Sequence, residues 1–265
     1  MILLETNKLT KQFGALKAVN HVDITVNTGE IFGMLGPNGA GKTTMLKMFT
    51  TLLPPTSGNA RIGGFDIVGQ PNSVRHIIGY VPQMLSADGT LTGYENLLVF
   101  AKIYDVPAKD REKRIWSLLK LMNLNDQAKD LVRTYSGGMI RRLEIALSML
   151  HHPKILFLDE PTVGMDPIAR QTVWERIRNL REEFGLTIFL TTHYMDEAEA
   201  ICDRVAIMNH GRIAAMDSPA KLKAMTGQPE ATLEDAFRFF TGGEYEEEAD
   251  YRGLKRTRKI ARRLG

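Results

Sequence analysis

Nine consecutive residues, Gly36-Pro37-Asn38-Gly39-Ala40-Gly41-Lys42-Thr43-Thr44, constrain this chain more than any other stretch. They fit the spacing G-x-x-x-x-G-K-[ST] at Gly36, Gly41, Lys42 and Thr43. Glu30 to Leu35 reads as a short buried strand before them, and Met45 to Phe49 as a helix after them. Strand, glycine loop and helix together are the context that this spacing needs. The glycines let the backbone curl so that several N–H groups point inward at a chain of phosphates, and the helix N-terminus adds about half a positive charge. In that setting Lys42 reaches the β- and γ-phosphates and the Thr43 hydroxyl ligates Mg²⁺.

The rest of the chain reads as a covered, mostly parallel sheet. Apolar strands at Lys154–Asp159, Leu186–Leu190 and Arg204–Met208 alternate with helices at 167–184 and 196–202, the pattern of an α/β core with helices on both faces. Upstream, residues 2–9 and 20–27 read as strands, the second alternating as Val22, Ile24, Val26, and Gly63-Gly64 marks a hairpin. A short strand at 77–81 ends at Pro82-Gln83. The character then changes to helix: Thr92 and Glu95 have capping-box spacing, and helices follow at 109–122 and 138–150. An inserted helical subdomain is expected at about 85–152, within a main domain of residues 1–216, followed by a helical extension at 217–243 and a charged tail at 244–265. His151-His152 sits at a helix end, where positive charge is favourable, and reads as structural.

Composition removes several alternatives. Hydrophobic residues make up 43% and charged residues 25%, the balance of a globular protein with a sizeable core. The net charge of +3 is too small to argue for nucleic acid. The one cysteine, Cys202, has no disulfide partner and reads as a small core residue. The sequence opens without signal-peptide character, and no apolar run approaches the 18 or so residues of a membrane span.

Ile155-Leu156-Phe157-Leu158-Asp159-Glu160 is an apolar strand closed by two carboxylates. Taken alone, Asp-Glu before Pro161 suits a helix start as well as a metal site. Beside a phosphate loop the second reading gains weight: Asp159 holds Mg²⁺, and Glu160 orients or deprotonates an attacking water.

With these residues in view, the chain resembles the ATP-binding subunit of an ATP-binding cassette (ABC) transporter over about residues 2–216. The diagnostic piece is Tyr135-Ser136-Gly137-Gly138-Met139, similar to the family signature Leu-Ser-Gly-Gly-Gln. The resemblance implies an α/β phosphate-loop NTPase (RecA-like) core with a mostly parallel sheet, an N-terminal antiparallel β subdomain and an inserted α-helical subdomain. It implies ATP and Mg²⁺ as ligands and an ATP-dependent head-to-tail homodimer, in which the signature faces the γ-phosphate held by the opposite subunit. By the same resemblance Phe13 stacks on adenine, where Tyr is usual, and the loop from Gly36 through Thr44 binds ATP. Thr43, Gln83 and Asp159 serve Mg²⁺, Gln83 also hinging the helical subdomain. Glu160, His193, Gln83 and Lys42 act in catalysis, and Asp166 of Gly164-Met165-Asp166-Pro167 couples the two sites.

Tyr135 and Met139 depart from the commonest signature and resemble a branch of the daunorubicin-resistance type, as does the segment Thr232 to Phe237. That branch implies a bacterial exporter of drugs, antibiotics, lipids or polysaccharides, driving a separate permease from the cytoplasmic face of the membrane. The helical subdomain, near Gln83 and residues 90–105, is where the permease is expected to dock. The rival is a non-transport ABC ATPase acting on nucleic acid or ribosomes; a phosphate-loop kinase or GTPase is disfavoured by the signature. An acidic run from Glu244 to Asp250 and a basic run from Arg252 to Arg263 leave a solvated tail and an anionic-lipid contact open. Nucleic acid is the weaker option, because no aromatics interleave the basic residues.

Overall fold

The computed structural model describes residues 1–242. The charged runs between 244 and 263 lie outside the described residues. A parallel sheet forms the centre, built from β4 (Ile31–Leu35), β7 (Ile78–Val81), β8 (Ile155–Asp159), β9 (Thr187–Thr192) and β10 (Arg204–Asn209), with β11 (Arg212–Asp217) added antiparallel at one edge in the order β11-β10-β4-β9-β8-β7. Every residue of β4, β8 and β9 is buried, as their unbroken apolar runs require of strands covered on both faces.

A second sheet is antiparallel. It joins β1 (Ile2–Phe13), β2 (Leu16–Val22), β3 (Thr25–Asn27), β5 (Ser57–Ile62) and β6 (Phe65–Asp66). Here the strand boundaries differ from the expected 2–9 and 20–27. β1 continues to Phe13, where Phe13 pairs with Leu16 across a hairpin. The expected second strand divides at Asp23, whose carboxylate accepts from the Lys8 N–H at 2.5 Å. Leu9 pairs with Val22 of β2, and Leu4 with Val26 of β3. The buried alternation of Val22, Ile24 and Val26 nevertheless holds.

Helix α1 (Lys42–Phe49) follows the glycine loop and lies under the antiparallel sheet. Phe49 stacks on Phe157 at 5.8 Å and meets Phe189 edge-on at 5.5 Å, which fixes the helix against β8 and β9. The sequence reading missed α2 (Pro71–Ile77) and β11; α2 buries only Val74, too little apolar signal to set a helical period.

Between β7 and β8 the chain is helical: α3 (Gly93–Ile103), α4 (Ala108–Leu121), a short 3-10 turn at Val132–Thr134 and α5 (Gly137–Met149). The Thr92–Glu95 capping box is present in full. His151 is structural, as expected, but not through the positive charge that a helix end favours. Burial pushes its imidazole pKa down, with nearby His152, His76 and Arg114 adding to that, so the ring is held neutral. It stacks on Tyr104 at 4.2 Å and its Nε2 donates to the Ile78 carbonyl at 2.8 Å.

The remaining helices are α6 (Pro167–Phe184), α7 (Met195–Ile201), α8 (Pro219–Ala224) and α9 (Leu233–Thr241). A Thr232–Asp235 capping box starts α9, and Leu233, Ala236 and Phe237 bury its inner face. Cys202 is buried, with its thiol pKa raised by burial, as befits a core residue. Among the described residues no helix is long and apolar enough to cross a membrane.

Candidate active site

The carboxyl ends of β4, β8 and β9 lie side by side: Leu35 pairs with Thr192, and Asp159 with Thr191. Three loops therefore leave the sheet at one edge, the position where open α/β sheets bind ligands. The loop from β4 is the Gly36–Thr44 stretch. Its last turn places Gly41 at φ 109°, and no side chain caps α1, so the helix presents its first-turn N–H groups without a side-chain partner. Pro37 O accepts from the Ala40 N–H at 3.2 Å and closes the curl; Asn38 and Gly39 stand exposed on its rim while Ala40 is buried. Thr43 and Thr44 open the helix, facing a cleft that also takes in Phe13, Gln83 and Glu160. Phe13 is 48% exposed at the hairpin tip, with Lys11 Nζ 5.2 Å from its ring centre, so it is no core plug.

Lys42 is 4% exposed and its ammonium is saturated: it donates to Gly36 O at 2.7 Å and Pro37 O at 3.1 Å, and lies 3.1 Å from Glu160 Oε1. Burial lowers its pKa, against the pull of Glu160 and Asp159. Asp159, 1% exposed, accepts from Thr191 Oγ1 at 2.7 Å and from Thr43 Oγ1 at 3.1 Å. Glu160 adopts φ 48°, a left-handed conformation that its N–H secures by donating to Thr191 O and Oγ1. Its Oε2 accepts from Gln83 Nε2 at 3.2 Å and lies 3.3 Å from His193 Nδ1. Burial pushes the Glu160 carboxyl up, but the His193 contact and the Lys42 charge outweigh it and hold the group below the usual glutamate range. Lys42, Gln83 and His193, far apart in sequence, thus converge on the Glu160 carboxylate.

A family model described as ABC transporter matches residues 19–163. The chain belongs to the ABC transporter family. It is 42% identical over 224 residues to the daunorubicin/doxorubicin resistance ATP-binding protein DrrA of Streptomyces peucetius, covering 84% of this chain and 68% of that protein. It is 38% identical over 225 residues to the linearmycin resistance ATP-binding protein LnrL of Bacillus subtilis, covering 85% and 72%. A dimeric ATP-binding cassette solved in a post-hydrolysis state with ADP and Pi superposes with a TM-score of 0.73 at 25% identity, over 82% of this chain and 98% of that one. The chain is an ATP-binding, ATP-hydrolysing ABC subunit with a phosphate-loop NTPase fold.

The ABC signature stands apart from this cleft. Ser136 caps α5, its Oγ accepting from the Met139 N–H at 3.3 Å, and Ser136 and Gly137 are exposed. Gly138 is half-buried. Tyr135 turns inward: it is 7% exposed, and its hydroxyl donates to Gln127 O at 2.6 Å. Met139 packs against the helical core. The two residues that set this signature apart therefore anchor it, and only Ser136, Gly137 and Gly138 face outward. Asp166 caps α6, accepting from Ile168 N–H at 3.0 Å and Ala169 N–H at 2.9 Å. The sequence reading missed Thr191, which ties Asp159 to Glu160. Its signal is one hydroxyl among the three threonines of β9, and β propensity alone accounts for a threonine there.

Proposed function

We propose that this ABC subunit powers an exporter of the drug-resistance type through a separate membrane permease, working at the cytoplasmic face of the membrane. The observation that carries the mechanism is the convergence of Lys42, Gln83 and His193 on Glu160 at 3.1 to 3.3 Å. ATP lies along the glycine loop with adenine on Phe13 and phosphates over the α1 N-terminus. Lys42 exchanges its contact with Glu160 for phosphate oxygen, which frees the carboxylate to face water. Glu160 then orients the attacking water and accepts its proton as bond formation makes that water more acidic. His193 contacts the γ-phosphate and holds Glu160 in register.

Mg²⁺ fits the donors present. Asp159 and Thr43 offer hard oxygen atoms within 3.1 Å of each other, and Gln83 stands beside Glu160. No cluster of three His, Cys, Asp or Glu residues could form a metal cage among the described residues, which suits an ion held by one or two side chains plus phosphates and water. When bound, Mg²⁺ supplies charge neutralisation at the β- and γ-phosphates.

The exposed Ser136 and Gly137 and the half-buried Gly138 stand apart from the phosphate loop of their own chain, so a head-to-tail homodimer with two buried ATP molecules completes each site, Asp166 linking the two. The exporter reading draws support from the drug-resistance relatives, and the permease docks on the helical subdomain between β7 and β8. Anionic lipid contact by the basic run at 252–263 belongs to the same proposal, and nucleic acid is no partner in it.

Glu160→Gln tests the core of this. Turnover falls by about a hundredfold or more, ATP binding persists, and ATP drives the variant into a stable dimer by size-exclusion chromatography. Normal turnover in Glu160→Gln sinks the assignment. Purification of the tagged chain from detergent-solubilised host membranes then brings down a polytopic permease; recovery of soluble proteins or nucleic acid alone moves the function to the non-transport branch.

A further inference from the structure

Arg141 heads the largest side chains that are fully buried in the described structure, at 2% exposure, and Glu144 one turn later is 3% exposed. Both sit on α5, the helix that begins at the signature. Arg141 Nη1 donates to Pro82 O at 2.6 Å and Nη2 to Gln83 O at 2.7 Å, while Nη1 lies 3.1 Å from Glu144 Oε2. Glu144 Oε1 accepts from the Ser86 N–H and, at 3.1 Å, from the Ser86 hydroxyl. The loop that carries Gln83 is thus fastened on both sides of it. Between these points the side chains of Met84 and Leu85 are 82% and 50% exposed, so packing does not hold the loop; the two charged groups do.

A buried ion pair is a poor source of stability, because desolvation offsets most of the attraction. Such a pair often serves geometry instead. Arg suits this one because its planar fork aims donors from two separate nitrogens, Nη1 at Pro82 O and Nη2 at Gln83 O, in a fixed geometry that a rotating ammonium does not impose. The Gln83 backbone is held by Arg141 while its side-chain amide donates to Glu160 at 3.2 Å.

We infer that Arg141 and Glu144 are positioning residues for ATP hydrolysis: they lock the Gln83 loop to the signature helix and so set the Gln83 amide against Glu160. The inference rests on the proposed role of Gln83 in hydrolysis. It makes the helix that reaches toward the opposite subunit and the loop that serves this subunit's own nucleotide one rigid body.

The test is a mutant cycle on the full chain, reading kcat, KM for ATP and Tm. The variants are Gln83→Ala, the double variant Arg141→Met/Glu144→Leu, and the triple combination. The apolar pair removes both buried charges together, and the Pro82, Gln83 and Ser86 backbone groups it releases lie in a loop open to water, so Tm is expected to stay close to that of the parent. Gln83→Ala lowers kcat by about tenfold or more. The double variant lowers kcat to a similar extent with KM for ATP little changed, and adds no further loss in the Gln83→Ala background, the mark of action through one group. If Gln83→Ala slows turnover but the double variant does not, or if the two losses multiply, the clamp is overturned and the role of Gln83 stands. If Gln83→Ala leaves kcat unchanged, the reading of Gln83 falls and the clamp falls with it. Arg141→Lys guards against a folding failure of the double variant: it keeps the buried charge pair but loses the rigid two-nitrogen fork that fixes the Gln83 loop, so kcat drops by about threefold or more with Tm little changed. Wild-type kcat in that variant overturns the clamp independently.

Discussion

The N-termini of α1 and α5 both carry glycine and a hydroxyl residue, and they are built on opposite principles. At α1 the glycines are demanded by the fold. A Cβ on Gly41 would stand 2.3 Å from Ala18 O and 2.8 Å from Met208 Cε, at φ 109°, where side chains are strained in any case. At α5 nothing among the described residues demands glycine: a Cβ on Gly137 meets no atom of theirs within 4 Å, and Ser136 beside it is exposed. One cradle is closed by its own chain, while the other leaves room that its own chain does not use. That difference is what a site completed by a second copy requires.

Alanine at each glycine breaks the comparison most directly. Gly41→Ala is expected to destabilise the chain by about 2 kcal/mol or more, through strain and backbone collision together. It also abolishes ATP binding, read by thermal melts with and without nucleotide. Gly137→Ala is expected to leave the fold intact, with a gain of up to about 1 kcal/mol from the lost glycine in the helix. ATP-dependent dimerisation and turnover drop by about tenfold all the same. A Gly137→Ala variant that folds, dimerises and turns over normally would show that the open cradle meets no partner.

Much of this was legible in the sequence, for reasons that differ by residue. The stretch from Gly36 to Thr44 combines φ-permissive glycines, a lysine and a hydroxyl at a spacing that few other needs produce, and strands such as Ile155 to Asp159 are too apolar to lie anywhere but in a covered sheet. Helix ends with a chemical marker were read closely: Thr92 and Glu95 at α3, and Gly185, at φ 61°, after α6. The early strands were misjudged because bulges at Lys8 and His21, both at positive φ, bend and divide a β pattern that sequence periodicity treats as straight. The Arg141–Glu144 clamp was beyond reach for another reason. Two charges on a helix three residues apart usually form a surface pair, and only the fold reveals that this face turns inward.

The smallest expected effect sharpens the comparison from inside. Glu160 and Glu197 are both buried carboxyls near the phosphate edge, but their surroundings pull in opposite directions. Glu160 is held low by His193 and Lys42 despite burial, and the stability this lends is present above the ordinary glutamate value and lost as pH falls through its depressed one. Glu197 is 0% exposed, and its Oε1 accepts from Thr162 Oγ1 at 2.7 Å and Trp174 Nε1 at 2.8 Å, while Oε2 has no hydrogen-bond partner among the described residues. Burial raises its pKa, against the hydrogen bonds from neighbouring threonines and the tryptophan. The folded state therefore favours the protonated acid. The stability it contributes is fully present below the ordinary value of 4.5 and is lost as pH rises from there toward the raised folded value. Glutamine imitates the protonated acid at every pH, so Glu197→Gln raises Tm by about 2–4 °C at pH 8 and by less at pH 5. The same exchange at Glu160 has the reverse signature, a collapse of turnover with no gain in stability at high pH. Equal Tm shifts for Glu197→Gln at pH 5 and pH 8 would mean that Glu197 keeps its charge in the folded protein, and the contrast between the two carboxyls would lose its physical basis.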